Sequence, residues 1–348
     1  MARGQLYSPE RKFLTDSETG VSITKLTAFP TVNMKLYFHV NAFTPDSKTL
    51  VFHSYKASQR DSQIDIFRVD TDGMNLIQVT DRPGIGGDIL SYCGKWLYFI
   101  AEGAFRRVSL ATFEEEVIAP MVEVASAGLG SLTFDDRYYV AEVELRGGGK
   151  GIVRISTDGK EADIVYRQSD SISHTQVEPS AGGTIAFQRK ADGLERNIWL
   201  LDADGGNLRP LELPHGNGHW MWLGSTKRIM SNLSSEHRGI AITAESEGKT
   251  ELYTGEHFWH GSCSMDGKWI VSDTNWPDHG IQLMNVATKR YKMLCRSDSS
   301  SGHPQWSHPH PSFSPDGRWV AFNSDRTGMP NVYLAAVPEE MLAELAAE

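Results

Sequence analysis

Phe313-Ser314-Pro315-Asp316-Gly317-Arg318-Trp319-Val320-Ala321-Phe322 reads as two β-rich runs joined by a tight turn. In Pro-Asp-Gly the glycine supplies the positive φ that such a turn needs. The unit recurs upstream at residues 42–52, 91–99, 132–140, 177–187 (the weakest copy), 222–230 and 263–271. Seven turns, roughly 40 to 50 residues apart, mark an internal repeat. Most copies continue into a second β-rich run that closes on another turn. Examples are residues 66–69 before Asp72-Gly73, 153–155 before Asp158-Gly159 and 198–201 before Asp204-Gly205. About four strands per repeat predicts an all-β fold, a seven-bladed β-propeller. The seventh copy runs out after residues 331–337, short of a fourth strand. Residues 21–27 resemble the fourth strand of blade one, 75–80. The N-terminal strand is therefore expected to complete the last blade and close the ring, which removes exposed edges. Residues 1–348 read as a single domain, with 339–348 a short tail of helix formers.

Composition narrows the function. The net charge of -10 argues against a nucleic-acid partner and offers no basic surface to anionic lipid. No stretch approaches the ~18 apolar residues of a membrane span. Cys93, Cys263 and Cys295 are odd in number and form no CxxC pair, so reduced thiols and no disulfide framework are expected. With no apolar signal segment after Met1, the expected location is cytoplasmic. Gly147-Gly148-Gly149-Lys150-Gly151 lacks the spacing of a phosphate loop and reads as a connection between strands.

The first strand of each blade lines a propeller's central channel, so residues just before it share one rim. His310, His260 and His219 each lie six residues before the aligned turn position, and His39 lies seven before Asp46. His174 precedes the glycines of its turn by a similar interval. Five of seven blades thus carry a histidine near one slot, far more than 12 histidines in 348 residues would place there by chance. A lone His39 would read as an ordinary polar residue of a β-protein. His260, His308 and His310 together read as metal ligands. His308 and His310 are two apart on a segment that Pro309 and Pro311 hold extended, so both imidazoles can face one side. Gln305 can return its amide oxygen to the same point. Three imidazoles and an amide oxygen without thiolate suit an octahedral first-row divalent ion such as Mn²⁺. Zn²⁺ with three histidines and water is the other option.

The run Gln305-Trp306-Ser307-His308-Pro309-His310-Pro311-Ser312-Phe313-Ser314-Pro315-Asp316-Gly317, continuing through 322–325 to 330–334, resembles the oligogalacturonate lyases. The resemblance follows blade order along nearly the whole chain and is weakest in blades two and three. It implies a cytoplasmic seven-bladed enzyme that cleaves short galacturonides by β-elimination. It also implies Mn²⁺ held by His260, Gln305, His308 and His310, and a general base at His219. Substrate-binding roles are expected for His174, His39 and His215, with His215 the fallback base and Arg196 assisting catalysis. Two positions depart from the family. Trp220 follows His219 where Glu is common, and Asn197 occupies the arginine position with Arg196 one residue earlier. One residue in a strand is a change of face. The chemistry is consistent with the residues. A cation on the uronate carboxylate acidifies the C5 proton, and a neutral histidine near pH 7 can remove it. The uronide could be galacturonate, glucuronate or iduronate. The alternative reading is a non-catalytic TolB-like propeller that binds proteins. It accounts for the turns but not for the histidines. A prolyl-oligopeptidase-like propeller is disfavoured because the chain has no G-x-S-x-G.

Overall fold

Each of the seven turns between a first and a second strand passes through a residue of positive φ. These are Ser47, Gly94, Asp136, Gly182, Lys227, Gly267 and Gly317, with φ between 58° and 72°. Three are not glycine, so the turn is a property of the repeat rather than of one residue type. The computed structural model describes residues 3–56, 64–189, 197–211, 216–233, 237–244 and 249–347.

Seven antiparallel sheets form the seven-bladed β-propeller. Their first strands are Asn33–Lys35, Gly86–Leu90, Val124–Leu132, Ile172–Val177, Gly216–Trp222, Phe258–Cys263 and Ser312–Phe313. The second strands carry continuous apolar runs because both of their faces pack on neighbouring blades. Trp319–Ser324 is buried at every position after the first, as is Trp269–Thr274.

Blade seven has three strands of its own. Ser22–Lys25 pairs antiparallel with its outermost strand, Ile23 opposite Ala335, so the expected ring closure is present. Leu26 N–H donates to Val332 O at 2.8 Å and Thr27 Oγ1 to Asn331 Oδ1 at 2.9 Å. The N-terminus does more than the repeat pattern predicts. Lys12–Thr15 adds a fifth strand to blade seven, and Leu6–Tyr7 adds a fifth to blade one. The tail is the helix Glu339–Ala346, which buries Met341 and Leu345 against blades six and seven. Among the described residues, no helix is long and apolar enough to cross a membrane.

Asp16 ties this closure to blade six. It accepts the N–H groups of Glu18 and Thr19 and the Thr19 hydroxyl on Oδ1, and the Arg296 N–H on Oδ2 at 2.7 Å. Burial pushes its pKa up, but the hydrogen bonds outweigh burial and hold it below the ordinary 3.8. A depressed carboxylate stabilises the fold above its unfolded pKa, and that contribution is lost as pH falls through the folded value. Asp16→Asn is therefore expected to cost about 1–3 kcal/mol at pH 7. The difference from wild type in thermal unfolding should shrink as pH falls below about 4.

Candidate active site

The first strands do not run straight through the ring. In blades two to six the pairing with the second strand shifts at one level. The shifts fall between Gly86 and Ile89, Ala127 and Gly130, Ser173 and Gln176, Gly216 and Trp220, and Phe258 and Gly261. Such bulges bend a strand and re-aim its side chains. His174, His219 and His260 sit inside three of them. In blade seven His310 lies just before the short first strand with φ 45°. In blade one the strand stops at Lys35, and a turn closed by Val40 N–H on Tyr37 O carries Tyr37, Phe38 and His39 inward.

His260, His308 and His310 meet there. One ligating nitrogen of each lies within 4.8 Å of the others, and all three side chains are buried. His260 Nδ1 donates to Asp273 Oδ2 at 2.8 Å, which leaves the lone pair on Nε2. That Nε2, His308 Nδ1 and His310 Nε2 are buried nitrogens without a hydrogen-bond partner. Burial, followed by the neighbouring imidazoles, holds His260 and His310 well below the usual histidine range. Burial lowers His308 as well. Three converging neutral nitrogens with unused lone pairs fit a divalent transition metal.

The extended segment expected at 308–311 is only partly so. His308 is extended, but His310 takes the left-handed conformation, which costs a non-glycine residue energy and recurs at functional sites. Its N–H approaches Asp273 Oδ2 at 3.3 Å. The buried Lys35 ammonium donates to His310 O at 2.8 Å and to Leu36 O at 2.6 Å. Burial lowers Lys35 to about 7 and raises Asp273 to about 7.

Asp273 is the fifth residue of its second strand, and other blades use that position alike. Besides His260 Nδ1, Asp273 accepts the His260 N–H at 2.7 Å. Asn323 donates to His308 O and accepts the Lys35 N–H from blade one. Glu142 accepts Leu129 N–H in its own blade and Thr175 N–H in the next. His53 meets Asp88 of blade two at 2.9 Å. Asp273, Asn323 and Glu142 thereby fasten the segments that present His260, His308, His310 and His174. Asp273→Asn is expected to weaken metal binding about 10–100-fold while the chain stays folded, as competition against a chelator would measure.

His219 stands beside the cluster, its ring centroid 4.2 Å from that of His260. Its Nδ1 faces Trp259 O at 3.1 Å. A carbonyl only accepts, so Nδ1 carries the proton and Nε2 the lone pair. Burial, then the nearby His174, lowers its pKa to about 4, so the ring is neutral at pH 7. His174, at φ 56°, places its ring 5.6 Å from that of His219. Its Nε2 is 3.2 Å from the Tyr37 hydroxyl.

His39 is not one of the three histidines whose nitrogens converge. Its ring packs on Tyr37, Phe38 and His174, and it lines the cavity on the other side of this layer together with Phe43, Met221 and Cys263. Gln305 lies in the 3-10 turn Gln305–Ser307, three residues before His308, and is exposed. Arg196 and His215 lie outside the described residues. Trp220, which stands where the lyases commonly have Glu, is fully buried against Ile198 and Leu200 and turns away from the site.

Sequence reasoning missed Tyr37, Asp273 and Lys35. Tyr37 is the centre of the site, with its ring 4.6 Å from His310 and 6.4 Å from both His219 and His260. A shared fifth position in the second strands could have flagged Asp273. An unbroken aromatic run, Tyr37-Phe38-His39, where an inner strand should alternate could have flagged the blade-one turn.

No family model matches the chain. Over 98% of its length it is 25% identical to the whole of the oligogalacturonate lyase of Dickeya dadantii. It is 24% identical, with the same coverage, to the oligogalacturonide lyase of Pectobacterium atrosepticum. In three dimensions 98% of the chain matches all of an oligogalacturonate lyase solved in complex with manganese, at TM-score 0.86 and 24% identity. An oligogalacturonate lyase of Vibrio parahaemolyticus matches with the same coverage at TM-score 0.84 and 22% identity. Nearly end to end, in sequence and in fold, this chain is similar to the oligogalacturonate lyases.

Proposed function

We propose that the chain is a metal-dependent lyase that cleaves short oligogalacturonides by β-elimination. One observation carries the reading. Three buried neutral imidazoles converge within 4.8 Å beside a fourth, His219, oriented as a base, in a chain that matches oligogalacturonate lyases along its length. His260, His308 and His310 would hold the metal, with the Gln305 amide oxygen reaching in from the rim. The manganese in the matching solved enzyme and the absence of thiolate donors favour Mn²⁺. When bound, the metal neutralises the uronate carboxylate and stabilises the charge that develops as C5 loses its proton.

His219 Nε2 accepts the C5 proton, the C4–C5 double bond forms, and the bond from C4 to the bridging oxygen breaks, its electron pair leaving with that oxygen, which takes a proton from water. Asp273 keeps His260 turned toward the carboxylate site. His174, its ring 5.6 Å from that of His219, is assigned to substrate binding. Arg196 and His215 are assigned to substrate binding, with Arg196 assisting the elimination. His39, whose ring lies 6.2 Å from that of His174, is assigned to substrate binding with it. The free thiols Cys93, Cys263 and Cys295 fit a cytoplasmic enzyme acting on imported oligosaccharides.

The test is ultraviolet absorbance of the unsaturated product, using defined galacturonate, glucuronate and iduronate oligosaccharides. Galacturonides should react fastest. A chelator should stop the reaction and Mn²⁺ should restore it. Metal-loaded protein that releases no unsaturated product from any galacturonide would overturn the assignment.

A further inference from the structure

Only two of the nine tryptophans are exposed, Trp276 at 68% and Trp306 at 36%. Both border the imidazole site. Trp276 follows the second strand of blade six, whose end, Thr274, pairs with Phe258 at the start of the first strand. That places Trp276 on the His260 rim. Its ring is 5.8 Å from that of Trp259, which in turn lies 4.3 Å from His308 and 4.2 Å from His260. Trp306 sits in the turn two residues before His308, and its ring is 5.7 Å from that of Tyr55 in blade one. Two aromatic pairs thus flank His308, Trp276 with Trp259 against its ring and Trp306 with Tyr55 at the turn that leads into it.

Large apolar rings left in water beside a site mark a binding surface. Resting on the reading as a galacturonide lyase, we infer that these two pairs form the sugar subsites next to the metal-bound uronide. A galacto-configured ring turns its C3, C4 and C5 hydrogens toward one face. That face packs on an indole while the carboxylate and hydroxyls at the ring edge stay in water. The platform is uncharged, so it can hold neighbouring uronates without competing with the metal for their carboxylates. Preference for longer chains then comes from Trp276 and Trp306, and the chemistry from the histidines.

The experiment compares di-, tri- and tetragalacturonate as substrates for metal-loaded wild type, Trp276→Ala, Trp306→Ala and the double variant. In the double variant KM for the trimer and tetramer should rise about tenfold, and less for the dimer, with kcat changing little. Each single variant should give part of that rise, and Trp276→Phe should recover most of it. In metal-loaded His219→Ala, trigalacturonate should shift the tryptophan emission, and Trp276→Ala in that background should shrink the shift. KM within twofold of wild type for every chain length would overturn the subsites while leaving the lyase reading intact. Wild type inactive on all galacturonides would sink the lyase reading, and the subsites with it.

Discussion

Replacing His308 and His310 together with alanine is expected to take the metal content from about one ion per chain to none. Elimination should fall on the order of 10³-fold or more, since carboxylate neutralisation supplies several kcal/mol at the transition state. The two imidazoles are only 6% and 5% exposed, and their ligating nitrogens make no protein hydrogen bond that the change would break. The seven sheets should persist, and circular dichroism would verify that. Elemental analysis beside the rate measurement is the decisive pair. A double variant that keeps both its metal and its rate would show that the cluster is not the metal centre.

His219→Ala should separate the base from the metal. The His219 ring lies against His260 but is not one of the three converging ligands. Metal content should stay near one ion per chain, while kcat falls about 10²–10⁴-fold, the usual contribution of a positioned general base. KM should change much less, because the lost interaction is made mainly in the transition state. Near-normal elimination by His219→Ala would move the base elsewhere, with His215 next to be tested. Together the two variants distinguish a site that has lost its metal from one that has lost only its proton acceptor.

The repeat was legible because a positive-φ turn every 40 to 50 residues or so leaves a local signature. Ser47, Asp136 and Lys227 show its limit. They adopt the same conformation as the glycines without the residue type that announces it. Ring closure was legible from a strand surplus at one end matching a deficit at the other. Lys12–Thr15 and Leu6–Tyr7 were not, because short exposed edge strands carry little apolar pattern. The histidine slot was legible because blades repeat in register. His310, His260, His219 and His174 all arrive at one layer, as their spacing implied.

The sequence by itself determined the all-β repeat, the number of blades, the closing strand and the level at which the histidines gather. All of these follow from local turn chemistry and from periodicity along the chain. The tertiary structure decided which side chains complete the site. A bulge or a left-handed residue changes the face a side chain presents without changing sequence spacing. Only the folded ring could therefore show His310 turned by its positive φ and Trp220 buried away from the site. Hydrogen bonds across blades join residues far apart in the chain. Asp273 behind His260 and the N–H of His310, and Lys35 of blade one beneath His310, could be found only in space. Tyr37 became the centre because blade one's first strand ends early, and the packing of the seven blades left the middle of the ring for it to fill.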